Sequence, residues 1–373
     1  MSSWLIRALI FLLPLFFWPS PLKFELAKVS LFFAVGFLLV FLFLAKLNLK
    51  NFETRFKNPD KIWFFWIGIL FLSTLINQSF PYGFLAGGYR HQSVIFFFLL
   101  GLFALFAKNL DTKTAKNILK WATAAIILET LIIYGQWLAI KSNFPILSYN
   151  QRPIGTFGEP NAVAGFLVLG IPIMITFLHQ PLIPVLVVIL AIVLTGSKAG
   201  ILAVIAELII FVFLWQKKFP FKKPLLITCL IIVIFSGVFG AYLERKESPF
   251  ENRWLIWNLG NKAILERPIL GYGAEGIIKV YDREFRQINL PLEELAVDRS
   301  HNLFLDIALF SGLSGLFVFC LWLGKITKSL VKRKSWVLIP LVGFLVFFFF
   351  QPLGVIHWVY LIFLLSIYSG TQR

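Results

Sequence analysis

Charge is scarce in this sequence, and acidic charge scarcest of all. Asp, Glu, Lys and Arg make up 14% of 373 residues, against 59% hydrophobic residues, and the acids number 18 against 35 basic residues. A soluble chain of this length would need far more polar surface to cover its core. Cysteine is nearly absent. Cys229 and Cys320 each lie inside an apolar run, which argues against a disulfide framework or a zinc cluster. Phosphate-loop spacing is absent too: "LTGSKAG" lacks the GxxxxGK[ST] order. "GYGAEG" at 271–276 fits GxGxxG in letters only. It follows a proline-ended helix rather than a strand, so a tight turn is expected there and not a dinucleotide site. The formal charge of +17 comes without any recognisable nucleic-acid motif, and no nucleic-acid partner is expected.

What is present is apolar sequence, recurring along the whole chain. The mean hydropathy is +0.83, and 43 Phe and 12 Trp suit lipid-facing helices with aromatic belts. The fold class expected is all-α, a polytopic integral membrane protein of about twelve transmembrane helices. The spans read as 4–20, 24–45, 62–77, 93–107, 117–140, 161–178, 182–195, 200–216, 225–243, 301–323, 336–350 and 353–369. Arg7 precedes the first apolar run, but Pro14, Pro19 and Pro21 follow with no small-residue cleavage site, so the first span reads as an uncleaved helix. Basic clusters follow the even-numbered spans: Lys46 to Lys61, Lys108 to Lys120, Lys217 to Lys223 and Lys325 to Lys334. By the positive-inside rule both termini are cytoplasmic, and the lysines there meet anionic membrane lipids.

The chain then divides into spans one to nine at 1–243, an extracytoplasmic loop at 244–300, and the last three spans at 301–373. The loop carries nine basic and ten acidic residues, and a loop of this length in a membrane protein is usually functional. Its "NRWLIWNLGNKAILERP" puts Trp254, Trp257, Asn261 and Ile264 at helical spacing, closed by Pro268. A short amphipathic helix lying on the membrane surface, tryptophans down, is expected. Arg253 beside that stripe either meets phospholipid headgroups or serves a site.

Other polar clusters fall on the same side. "QRPIGTFGEPNAVAGF" opens the sixth span, with Arg152, Glu159 and Asn161 near a helix start whose amides favour an anion; a helix cap with a salt bridge is the plainer reading. Lys198 in "LTGSKAG" can reach headgroups or hold a phosphate. Arg90 and His91 precede the fourth span. His301 and Asn302 stand where "DRSHNLFLDIALFSG" turns from polar to apolar, and a capping role for this pair competes with a chemical one. Cations on the outer face run against the positive-inside rule, and a shared anionic ligand accounts for them together. Glu129, Glu207 and Asp306 lie inside helices, where such groups are usually paired or line a cavity.

In order along the chain, "RPIGTFGEPNAVAGFLVLGIPI", "LTGSKAG", "NRWLIWNLGNKAILERPILGYG" and "SHNLFLDIALFSGLSGLF" resemble the O-antigen ligase and polymerase family of bacterial envelope glycosyltransferases. The family pattern is an arginine before GTF-x-x-PN, a GSR-like turn, an R-x-x-x-W segment closed by Pro-x-x-G-x-G, and a histidine in an HN pair opening a late helix. The resemblance covers roughly 85–320. It implies a GT-C-like fold and transfer of a glycan from an undecaprenyl pyrophosphate carrier to an acceptor hydroxyl, on a glycan, a lipid A-core-like acceptor or a protein. That is O-antigen ligase-like work in lipopolysaccharide or other polysaccharide biosynthesis, in the bacterial inner membrane, with the active site on the extracytoplasmic face. No cofactor and no metal is implied. By position His301 matches the family's base, and Arg152 and Arg253 its pyrophosphate-binding arginines. Lys198 stands where the family usually has arginine, keeping the charge but losing the planar fork. Arg90 joins the donor-binding set, and Asn302, Asn161 and Glu159 support it. A polymerase or a protein oligosaccharyltransferase of the same superfamily is the nearest alternative. A flippase for polyprenyl-linked glycans is the alternative of another class, although no internal repeat is evident.

Overall fold

The computed structural model describes residues 3–18, 24–45, 60–77, 82–86, 90–215, 252–288 and 297–370. These residues form thirteen α-helices and one π-helical turn at Tyr82–Ala86, with no strand among them. The helices are α1 Ser3–Leu15, α2 Phe24–Leu44, α3 Lys61–Ile76, α4 Val94–Lys108, α5 Thr112–Lys141, α6 Pro160–Phe177, α7 Leu182–Leu194, α8 Lys198–Trp215, α9 Arg253–Glu266, α10 Ile277–Gln287, α11 Leu303–Lys332, α12 Leu338–Phe348 and α13 Val355–Gly370.

The expected class is met in its coarse form: the described residues are all helical and include several apolar helices, as in a membrane protein. Among the described residues, four helices are long and apolar enough to cross a bilayer by themselves, within Phe24–Leu42, Thr112–Lys141, Pro160–Phe177 and Leu303–Lys332, against the twelve spans expected. Six further apolar helices, α1, α3, α4, α7, α12 and α13, are shorter. The span expected at 225–243 lies outside the described residues. Two helices reach well beyond the expected spans, and α1 stops at Leu15, short of the expected residue 20. α5 starts at Thr112 because the Asp111 carboxylate accepts from the Thr114 amide at 2.9 Å and caps the helix. The lysines that follow therefore lie on helix, not in a loop. α11 runs on to Lys332, since Lys325, Lys328 and Lys332 suit the negative end of a helix dipole.

With no hydrophobic drive between helices in lipid, close packing holds the bundle. α12 lies against α8, α11 against α3, α13 against α4, and α1 against α5. Aromatic rings join four of them. Trp63 lies 5.2 Å from Trp66 and 4.9 Å from Trp322, and Phe97 lies 5.0 Å from Trp66 and 5.6 Å from Trp358.

One break in this regularity positions the site. Gly312 interrupts α11 with φ 68° and ψ −176°. The break leaves helix carbonyls without their usual partners, and the turn after Pro268 supplies them. The Tyr272 amide donates to the Leu309 carbonyl at 2.7 Å and the Gly273 amide to Phe310 at 3.0 Å, while the Leu313 amide donates to the Pro268 carbonyl at 2.7 Å. Ser73 of α3 donates its hydroxyl to the carbonyls of both Leu270 and Phe310. Gly271, also left-handed at φ 65°, lets this turn approach: a Cβ there would strike the Leu309 carbonyl. The "GYG" glycines thus make the expected tight turn and lock the segment between α9 and α10 into the break in α11.

α9 departs from expectation. Its Ile256, Trp257, Leu259, Ala263 and Ile264 are buried, and it packs on α10 and α11. The apolar stripe therefore faces protein, not the membrane surface; of the two tryptophans only Trp254 is exposed. Burial against two helices gives a stripe this wide a drier and better-packed contact than a headgroup layer.

Candidate functional site

The polar segment before α11 is held at nearly every residue. Asp298 accepts from Arg90 Nε at 2.6 Å. Arg299, 1% exposed, reaches Glu275 at 2.6 Å and lies 5.1 Å from the Phe310 ring centroid. Glu275 also accepts from the Gln92 backbone N–H at 2.6 Å. The Ser300 amide and hydroxyl both donate to Asp306, at 2.8 and 2.6 Å, and the Ser300 carbonyl accepts from Trp257 Nε1 at 2.9 Å. Asn302 caps α11, its Oδ1 accepting from the Phe304 and Leu305 amides at 2.9 and 3.2 Å. Between these fixed neighbours stands His301, half-buried, at φ 57°. A non-glycine residue in that region is strained and persists only where its surroundings impose it. Asn302 does the capping, so the histidine is not needed for it.

The second segment runs from Arg152 to Asn161. α5 fixes its conformation. Gln136 Oε1 accepts from the Ile154 and Gly155 amides at 2.9 and 2.8 Å, and its amide donates to the Gly155 carbonyl at 3.1 Å. Glu129 accepts from the Thr156 amide at 2.6 Å and from its hydroxyl at 2.9 Å. The intramembrane Glu129 is thereby explained as an anchor for the GTF turn. Glu159 precedes Pro160 and makes no side-chain cap; it meets Arg90 Nη2 at 3.8 Å. Arg152 donates to the Thr195 carbonyl at 2.6 Å and to Asn161 Oδ1 at 3.4 Å. Thr195 belongs to the turn before α8, whose first residue is the exposed Lys198.

Arg90 joins the two segments, with Asp298 on one side and Glu159 on the other. Burial works against its charge, but Asp298, Glu159 and Glu25 outweigh burial and hold its pKa above the ordinary value. Burial likewise pushes the Asp298 carboxyl up, and Arg90 and Arg299 more than reverse it, leaving it below the usual range. Arg152 differs. The Thr195 carbonyl and Asn161 Oδ1 to which it donates are neutral oxygens, and burial pulls its pKa down, only partly offset by Glu159 and Tyr149. Arg90 is a fully compensated ion and Arg152 an under-compensated one.

Arg253 opens α9 and is half-buried. Trp257 stands one turn further on the same face and is bonded to Ser300, so α9 delivers Arg253 to the side of the 298–302 segment. His301, Asn302, Arg90, Glu159, Asn161, Arg152 and Lys198 thus belong to linked segments at one end of the bundle. The buried Arg299–Glu275 pair and the anchors Gln136 and Thr156 were not singled out by sequence reading. Glu275 occupies a variable position of the glycine turn, and Arg299 read as one more loop cation. Among the described residues no three His, Cys, Asp or Glu side chains gather as a metal-ligand group.

No curated protein matches the chain closely enough to count as a relative. Residues 183–320, from α7 through the Gly271 turn and His301 to the middle of α11, match the model of the O-antigen ligase family, the family that the motifs resemble.

Proposed function

We propose that the protein is an O-antigen ligase-like glycosyltransferase, taking a glycan from an undecaprenyl pyrophosphate carrier at the extracytoplasmic face of the inner membrane. The observation that carries this reading is His301, held in a strained conformation by bonded neighbours, at the end of the bundle where Arg152 has neutral partners. The acceptor hydroxyl, of a glycan or a lipid A-core-like molecule, gives its proton to the His301 imidazole as its oxygen bonds to the anomeric carbon. The carbon–oxygen bond to pyrophosphate breaks, and the electron pair leaves on the pyrophosphate oxygen. Arg152 and Arg253 stabilise that developing charge in a partly dry site, with Lys198 as a point charge at the rim. Arg90, already held by two carboxylates, positions Asp298 and Glu159 rather than gripping the donor. Asn302 and Asn161 orient His301 and Arg152.

The test is product formation in detergent from a labelled lipid-linked glycan donor with defined acceptors, paired with direct donor binding. An enzyme yields product without a sealed membrane, whereas a flippase does not. His301→Ala should keep donor binding and lose roughly 10²–10⁴-fold in turnover, the range for a positioned general base. Near-normal turnover in that variant removes the histidine from the mechanism.

A further inference from the structure

The buried start of α13 is bonded toward both segments of the site, yet the proposed chemistry uses none of its residues. Gln92 donates its side-chain amide to the Leu353 carbonyl just before the helix, and its backbone N–H goes to Glu275, the partner of Arg299. Glu25 accepts from the Val355 amide. His357, 1% exposed, makes the link to the other segment. Its Nδ1 accepts from the Gly354 backbone N–H at 3.1 Å, which puts the ring proton on Nε2, and Nε2 donates to the Ala162 carbonyl at 2.9 Å. Ala162 follows Asn161, which accepts from Arg152. A glycine in α6 makes room for this approach: a Cβ on Gly165 would lie 3.1 Å from His357 Nε2 and 2.7 Å from the Phe347 ring. The imidazole also lies 6.3 Å, centroid to centroid, from Phe157 of the GTF turn.

We propose that His357 is a positioning residue for the donor site. It fixes the Arg152–Asn161 segment relative to the 298–302 segment, and so sets how the pyrophosphate-binding arginine stands to His301. This rests on the donor-binding role proposed above for Arg152; His357 itself touches neither donor nor acceptor. An imidazole in a dry interior costs free energy unless its nitrogens are satisfied. Here both are, each by a backbone group, one at the start of α13 and one at the start of α6. Gln136 and Glu129 tie the 154–156 turn to α5, and His357 ties the far end of the same segment to α13. Apolar packing would hold the two helices together without direction, whereas two hydrogen bonds from one ring fix their relative position. Group transfer needs that precision, because a displacement of about 1 Å far from the chemistry can cost the reaction heavily.

Two near-isosteres separate the two bonds. Glutamine places an N–H where Nε2 stands and keeps the link to Ala162; asparagine places an oxygen where Nδ1 stands and keeps only the link to Gly354. The measurement is undecaprenyl pyrophosphate binding to the full chain in detergent, expressed per folded molecule. His357→Gln should bind like the parent, and His357→Asn about tenfold more weakly, the scale of one hydrogen bond. In an Arg152→Ala background, His357→Asn should weaken binding no further. Parent-like affinity in His357→Asn, including the case where only the yield of folded protein falls, would overturn the proposal in favour of plain packing. An equal loss with and without Arg152 would overturn it as well. Hydrogen exchange separates this inference from the donor reading. Amides at 154–163 should exchange faster in His357→Asn than in the parent or in His357→Gln. A parent that binds no carrier would remove the donor reading, and unchanged exchange would overturn the positioning itself.

Discussion

The two ends of α11 carry charge in opposite ways. Around its first turn, Asp298 and Arg299 are paired at 2.6 Å with Arg90 and Glu275, which come from distant parts of the chain, and Asp306 accepts from the nearby Ser300 at 2.6–2.8 Å. At its last turns Lys325, Lys328 and Lys332 are exposed, and Asp60 lies 3.8 Å from Lys325. Buried charge is costly unless its geometry is complete, so where it occurs it fixes shape. Solvated charge is cheap and fixes little beyond the orientation of the helix across the membrane. The difference separates a preorganised site from a topological signal on one and the same helix.

The comparison predicts a graded series of effects. Gly312→Ala should be the most damaging, because a Cβ at φ 68° would collide with the Ile269 carbonyl and undo the seam between the glycine turn and α11. Little folded protein should survive detergent extraction, read by size-exclusion of the purified variant. Recovery like the parent's would mean that the break in α11 tolerates a side chain. Next comes Arg299→Ala, which strands Glu275 in a buried site and should cost about 3–5 kcal/mol, measured by thermal unfolding in detergent. Arg299→Ala combined with Glu275→Ala should recover part of that loss; an additive loss would show that the pair is not the operative interaction.

Acid should act on the same end. The Asp298 carboxyl sits below its usual range in the folded protein, so its contribution is whole above the unfolded value of roughly 3.9. That contribution is lost as pH falls through the lower folded value. Asp298→Asn should therefore flatten the acid limb of stability below about pH 4, and an unchanged limb would place the sensitivity elsewhere. Arg253→Lys should retain only part of the transfer activity proposed above for want of a planar fork, and full activity would show that a point charge suffices at that position. Smallest of all is Lys328→Ala at the far end, expected within about 0.5 kcal/mol of the parent. A larger change would mean that the exposed lysines do more than orient the chain.

Much of the site was legible because its residue types are rare in this setting. Histidine, arginine and lysine at helix ends stand out against an apolar chain, and their order carried the family resemblance. The partners were not legible. Arg299 meets Glu275, Arg90 meets both Asp298 and Glu159, and Gln136 meets Ile154 and Gly155, none through a spacing a motif records. The orientation of α9 was misread for a related reason: an amphipathic stripe declares that it needs an apolar neighbour but not whether lipid or protein supplies it.

By itself, then, the sequence determined the helical class and the course of most of the described helices, because hydrophobic runs act locally along the chain. Tertiary structure alone decided that α11 breaks at Gly312 and takes the turn after Pro268 into the gap, since the carbonyls left by a broken helix find amides only when a distant segment folds onto them. It also decided which arginine is compensated. Arg90 and Arg152 are alike in sequence, both cations ahead of an apolar helix, and only the convergence of Asp298 and Glu159 on one of them sets their charges apart.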